Sequence, residues 1–262
     1  MIRSLWSAAS GMKAQQTNLD VIANNLANVN TTGFKKQRAD FEDLMYQTER
    51  EPGVPVEPGS AVPVGVQVGL GSKVVGTGRI MTQGTVQVTD NPTDLMIQGD
   101  GYFQVIVPNG EIAYTRSGAF SVDGDGQMVT MDGYLLEPSI VIPDDATEIT
   151  VSDTGLVSVK VPGDALLQEI GQIELARFVN PAGLSASGNS LFMETDASGA
   201  PIAGMPAEEG MGSMVQGSLE MSNVQVVEEM VSMITAQRAY EAGSKAVQTA
   251  DDLLAIANSM KK

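Results

Sequence analysis

Two residue types are missing outright from the 262-residue chain, which has neither cysteine nor histidine. Without thiols there is no disulfide, no thiolate nucleophile and no soft metal ligand, and without imidazole the commonest general base and most transition-metal sites go as well. No cofactor or metal centre is expected, and no catalytic constellation can be assembled. The pair Asp144 and Asp145 flanks a proline turn, where adjacent carboxylates point apart. Aromatic residues make up only 5% of the chain, so a core has to come from aliphatic side chains and methionine. Apolar runs are short as well. None approaches the roughly 20 residues that span a bilayer, so no membrane insertion is expected. The apolar stretch at 5–9 is followed by Lys13 and the polar run 15–18, which argues against a cleaved signal segment.

Positive charge is the third scarcity, with 15 Lys and Arg against 32 Asp and Glu and a net charge of -17. The deficit is local. Residues 1–38 carry +4 and residues 224–262 carry -1, which leaves -20 on the middle of the chain. Such a middle is a poor surface for nucleic acid, and none is expected as a partner.

The ends have helical periodicity. Leu5, Met12, Leu19 and Leu26 recur every seven residues, with Ala8, Gln15, Ile22 and Val29 three positions later. Asn30, Thr31, Thr32 and Gly33 then supply turn chemistry that stops the helix. At the other end Val226, Met233, Tyr240, Val247 and Leu254 are seven apart, accompanied by the small residues Ala236, Gly243, Ala250 and Ala257, which let a second helix approach closely. Asn24, Asn25 and Asn28 are poor helix formers in a helical stretch, which suggests side-chain hydrogen bonds to adjacent helices. Either the two helices close on each other as a hairpin within one chain, or their seams are completed by neighbouring copies.

Between the ends, the period shortens to two. Runs at 85–89, 102–107 and 156–161 read as strands, separated by turn signals at Asn109-Gly110, Asp123 to Gly126, Asp132-Gly133, Thr154-Gly155 and Pro162-Gly163. Asp123, Asp125 and Gly126 superficially suit a calcium loop, but Ser121 and Asp132 stand where its outer ligands belong, so a hairpin turn is expected. Residues 51–71, with Pro52, Pro55, Pro58 and Pro63, read as an extended connector. The expected architecture is α+β and multidomain. A coiled-coil-like terminal domain comprises 1–30 and 224–262, a connector spans 31–70, and an antiparallel β-rich domain spans 71–223.

Several of these runs are familiar. The sequence VIANNLANVNTTGFK at 21–35 closely resembles the N-terminal signature of the bacterial flagellar rod and hook axial proteins. EMSNVQVVEEMV at 220–231, with QRAYE at 237–241 and SKA at 244–246, is similar to the family's C-terminal signature. QGDGYF at 98–103 and YTRSGAF at 114–120 resemble motifs of its β domain, while MIRSLW at 1–6 and DFEDLMYQT at 40–48 are similar to subunits of the distal rod more than to those of the proximal rod or hook. The resemblance implies a non-enzymatic subunit of a helical homo-oligomeric tube, with the terminal helices innermost and the β domain outside. It implies contact with proximal-rod and hook-side axial proteins and with a surrounding outer-ring bushing, and export through the flagellar type III apparatus without signal cleavage. Leu5, Met12, Leu19, Ile22, Asn24, Asn25, Leu26, Asn28, Val226, Met233, Tyr240, Gly243, Val247 and Leu254 are the expected inter-subunit packing residues. The alternatives are a hook or proximal-rod subunit and, from a different class, a secreted binding module.

Overall fold

The structure is a computed structural model that describes residues 2–52, 55–57, 60–61, 63–162, 167–208 and 210–260. It divides into two compact units, the first formed by Met1–Ala27, Gln37–Gly78 and Gln225–Lys262, the second by Asn28–Lys36 and Arg79–Val224.

The first unit contains both long helices, α1 (Ile2–Ala27) and α2 (Val226–Ser259), packed against each other. Their apolar residues recur at helical spacing with no proline to interrupt it, and Glu228 and Glu229 in the first turn of α2 suit the positive end of its dipole. Neither helix is long and apolar enough to cross a membrane. The rest of the unit is antiparallel ribbon. Gln37–Asp43 pairs with Ser72–Arg79, and Tyr46–Arg50 pairs with Val66–Gly69 from Tyr46 opposite Gly69 to Arg50 opposite Val66. The Pro-rich stretch therefore turns back on itself, with Pro55–Glu57 against Ser60–Ala61, rather than running as a polyproline arm. Proline tolerates this because it occupies a turn at Pro52 and the first position of a strand at Pro55, where a missing N–H costs little. Pro58 lies outside the described residues, as does Gly163 of the expected Pro162-Gly163 turn. At Gly71 the ribbon passes so close to α1 that a Cβ would lie 2.0 Å from Ser10 Oγ, and its φ of +119° is one that L side chains rarely adopt.

The second unit is antiparallel β apart from one short 3-10 turn at Pro181–Gly183. Its largest sheet runs Phe120–Val122, Met128–Thr130, Leu135–Glu137, Tyr102–Ile106, Ile112–Thr115, Leu191–Met193, Ser185–Gly188, and Leu175–Arg177 joins it by pairing with both Tyr102–Ile106 and Ile202–Gly204. Along Tyr102–Ile106 successive side chains point to opposite faces, and both faces are covered. Phe103 and Val105 enter the main core with Leu95, Phe120 and Leu136, whereas Tyr102 joins Tyr114, Phe178 and Phe192 in a second cluster. Half of the chain's twelve aromatic residues are thus concentrated in these two cores, stacked edge to face, with Phe103 and Phe120 5.0 Å apart. The expected hairpin turns form, with Gly110, Gly126, Gly133 and Gly155 at positive φ.

Distant parts of the sequence close this unit. Leu95–Gln98 pairs with Ser213–Gln216, and Val86–Val88 with Ser218–Glu220. The segment entering from Asn28 is held by the same region, since Gly33 N–H donates to Glu220 O at 2.8 Å. Gly33 has φ +70° and a Cβ there would stand 2.6 Å from Ser117 N, so glycine is required on both counts. Among the described residues no group of side chains could hold a metal ion.

Candidate functional site

The two helices that carry the expected seams pack against each other within the chain, and this covers the seam of α1 but only part of that of α2. Ile22 and Asn25 are buried, as are Ala14 and Val21, and Leu5, Met12, Leu19 and Leu26 are partly buried along α1. On α2, Ala236 and Ala250 are buried, and Met233, Gly243 and Val247 are partly so. Met12 sits over Gly243, where an added Cβ would be 2.8 Å from Met12 Cγ, so the small-residue line is the point of closest approach. Val226, Tyr240, Leu254 and Asn24 remain exposed. The amide of Asn25 is occupied within the chain. Its Nδ2 donates to Gln37 O at 2.8 Å and to Glu229 Oε2 at 3.1 Å, while its Oδ1 accepts from Gln37 N–H at 2.9 Å. Asn28 belongs to the second unit and shapes the turn after α1, accepting from Thr31 Oγ1 at 3.1 Å.

Another apolar stripe was not anticipated. Val227, Met230, Val231 and Ile234 are all about half exposed or more, with Val227 at 74%. At about 100° per residue they lie about half a turn from the buried line of Ala236, Gly243 and Ala250. The first half of α2 is consequently apolar on two opposite faces, one covered by α1 and one bare. Trp6 on α1 is 71% exposed, and Leu253, Ile256 and Met260 extend the bare apolar surface near the end of the chain. The signal was present in the sequence, as an i, i+4, i+7 spacing at 227, 231 and 234, but it is one position off the seven-residue line.

In the second unit three of the sequence motifs converge on one buried charge cluster. Glu220 accepts from Lys35 Nζ at 2.6 Å and Gly84 N–H at 2.8 Å through Oε1, and from Arg116 Nε at 2.6 Å through Oε2. All three side chains are almost wholly buried. Arg116 also donates to the carbonyls of Ile97, Gly99 and Gly101, and Lys35 to Thr82 O. Burial by itself would raise the Glu220 carboxyl, but Arg116, Lys35 and the Gly84 N–H together hold it below the ordinary carboxylate range. For Lys35 burial wins, and its ammonium is held below the usual value despite Glu220. Asn223 ties the neighbouring segments, accepting from Lys36 N–H and donating to Ile80 O, Thr82 O and Thr82 Oγ1. Lys35, Arg116 and Glu220 stood inside the quoted motifs without an assigned role, because nothing in a linear pattern shows that residues 35, 116 and 220 meet.

A self-paired helical unit, a bare apolar helix face and a β unit locked by internal ion pairs fit a structural protein. Comparison with known proteins bears on which kind. The family profile described as "Flagella basal body rod protein" matches residues 5–35, "Flagellar hook protein FlgE/F/G D1 domain" matches 96–159, and "Flagellar basal body rod FlgEFG protein C-terminal" matches 215–260. The flagellar basal-body rod protein FlgG of Borreliella burgdorferi is 54% identical over 264 residues, covering 100% of both chains. The FlgG of Caulobacter vibrioides is 52% identical over 261 residues, 99% of this chain and 100% of its own. The flagellar hook protein FlgE of Helicobacter mustelae is 46% identical, but over 138 residues that cover 52% of this chain and 30% of the hook protein. The chain belongs to the FlgG family of flagellar basal-body rod proteins. Its place is the basal-body rod, and its role is structural rather than enzymatic.

Proposed function

We propose that the chain is the repeating subunit of the distal rod, polymerising into a rigid tube that transmits torque from motor to hook. The observation that carries this reading is the second apolar face of α2. A helix that is apolar on opposite sides needs cover on both, and α1 supplies only one. Terminal helices of neighbouring copies supply the other, so the helical pair packs with the helical pairs of its neighbours in the tube. In this arrangement the exposed positions Val226, Tyr240, Leu254 and Asn24 face neighbours directly. The intrachain seam through Leu5, Met12, Leu19, Ile22, Leu26, Met233, Gly243 and Val247 sets the helix pair that neighbours meet. The same family relation supports assembly with other axial flagellar proteins, namely proximal-rod subunits below and hook-side proteins above, within an outer-ring bushing. It also supports export by the flagellar type III apparatus without signal cleavage.

Val231→Asp and Ile234→Asp test the reading. Each places a carboxylate on the bare face, where an isolated chain tolerates it and a packed interface does not. The expected result is a normally folded monomer that fails to polymerise and cells that lack complete rods. Wild-type rods from either variant would show that this face stays in solvent.

A further inference from the structure

The second unit carries six basic side chains and twenty acidic ones, yet three of the six, Lys35, Arg116 and Arg177, line one cavity of about 410 Å³. Lys35 and Arg116 form its inner side and share a single counter-charge in Glu220. The Arg177 guanidinium has no hydrogen-bonding or ionic partner among the described residues, and the residue is only partly buried. Tyr102, 6% exposed, also lines the cavity, and among the described residues its hydroxyl has only the Met81 thioether as acceptor, 3.5 Å away. A thioether is a weak acceptor, so an oxygen entering the cavity would be a better one. Burial keeps that hydroxyl protonated, with its pKa pushed up to about 12, so it stays a donor. The one acidic lining residue, Asp100, is exposed. The rim is apolar, with Val179 at 81% exposure beside the exposed Ile202.

We infer that this cavity is a socket for an acidic turn of a second copy of the chain, whose carboxylate is received by the Arg177 guanidinium and the Tyr102 hydroxyl while flanking apolar groups cover Val179 and Ile202. Charge complementarity selects the occupant. The remaining surface of the same unit is overwhelmingly acidic, so a second copy presents carboxylates from almost any side, and a concave cationic site is what it lacks elsewhere. The socket also answers a physical difficulty. Units of net charge -14 repel one another when brought into an array, and one attractive pairing per subunit offsets part of that repulsion.

The inference rests on the self-assembly proposed above, and three variants of the full chain separate the two. Arg177→Glu should raise the critical concentration for polymerisation by about tenfold or more, since it sets like charges against each other in the socket. Lys160→Glu makes the same change in net charge at an exposed site of the same unit and should leave the critical concentration within about twofold. Asp100→Asn removes the competing carboxylate and should lower it. Unchanged melting of each variant shows that folding is intact. Equal effects of Arg177→Glu and Lys160→Glu would mean that only overall charge matters, and would overturn the socket while leaving self-assembly standing. A second measurement uses Val179→Cys, the sole thiol in the chain, carrying a benzophenone. Irradiation of polymer, or of concentrated monomer if no polymer forms, should cross-link chain to chain at an acidic segment. A cross-link to another site, or none in either sample, would overturn the inference.

Discussion

Glu220 is the residue on which the β unit depends most. It neutralises two buried cations at once, so Glu220→Gln would leave Lys35 and Arg116 side by side without a counter-charge, a loss of about 3–5 kcal/mol. Lys35→Met should cost much less, because Glu220 keeps Arg116 and the Gly84 N–H and the apolar replacement suits a buried site. Denaturant melts of the two variants give the comparison directly, and an equal loss in both would mean that the pairs are not coupled through Glu220. The carboxyl also sets a pH dependence. Since the fold holds it below its ordinary value of 4.5, the folded state binds fewer protons than the unfolded chain, and the stabilisation is complete above that value and disappears as pH falls through the lowered one. Lys35 adds no alkaline loss, because its value is also lowered in the fold and stability rises with pH between that value and 10.5. Denaturation midpoints measured from pH 7 down to pH 3 should therefore fall more steeply for the wild type than for Glu220→Gln.

The helical pair turns on one small residue. Gly243→Ala brings a methyl within 2.8 Å of Met12 Cγ but removes a helix-interior glycine, a gain of about 1 kcal/mol, so the two effects nearly cancel. Gly243→Leu cannot be accommodated this way and should cost about 1–3 kcal/mol by forcing α1 and α2 apart. Amide exchange along α1 is the appropriate measurement, with faster exchange near Met12 expected in the leucine variant only. Periodicity alone located both helices, since each seam has at least four apolar residues at seven-residue spacing with no proline between them. It also located the hairpin turns, where glycine satisfies a backbone requirement that a local motif displays. The Pro-rich ribbon was less legible. Proline restricts φ without specifying a strand partner, and the pairing of Tyr46–Arg50 with Val66–Gly69 depends on residues up to about two dozen positions apart.

Charge acts on the molecule as a whole. A chain of net -17 that must pack side by side with its own copies works against long-range repulsion, and salt shortens the reach of that repulsion to about 8 Å at physiological strength. Polymerisation of the purified chain should therefore be faster at about 150 mM salt than at about 10 mM. The opposite trend would show that pairing between opposite charges, rather than apolar burial on α2, dominates assembly.

Composition and pattern were enough to exclude thiol and imidazole chemistry and to place a helix at each end and β structure between them, because each of these depends on residue type or on spacings of a few residues. The tertiary structure alone decided that Lys35, Arg116 and Glu220 form one buried cluster and that Asn25 is occupied by Gln37 and Glu229. It also decided which apolar face of α2 is covered and which is bare. Those outcomes depend on contacts between residues 12 to 204 positions apart in sequence, and on competition between two apolar faces of one helix, neither of which a local pattern encodes.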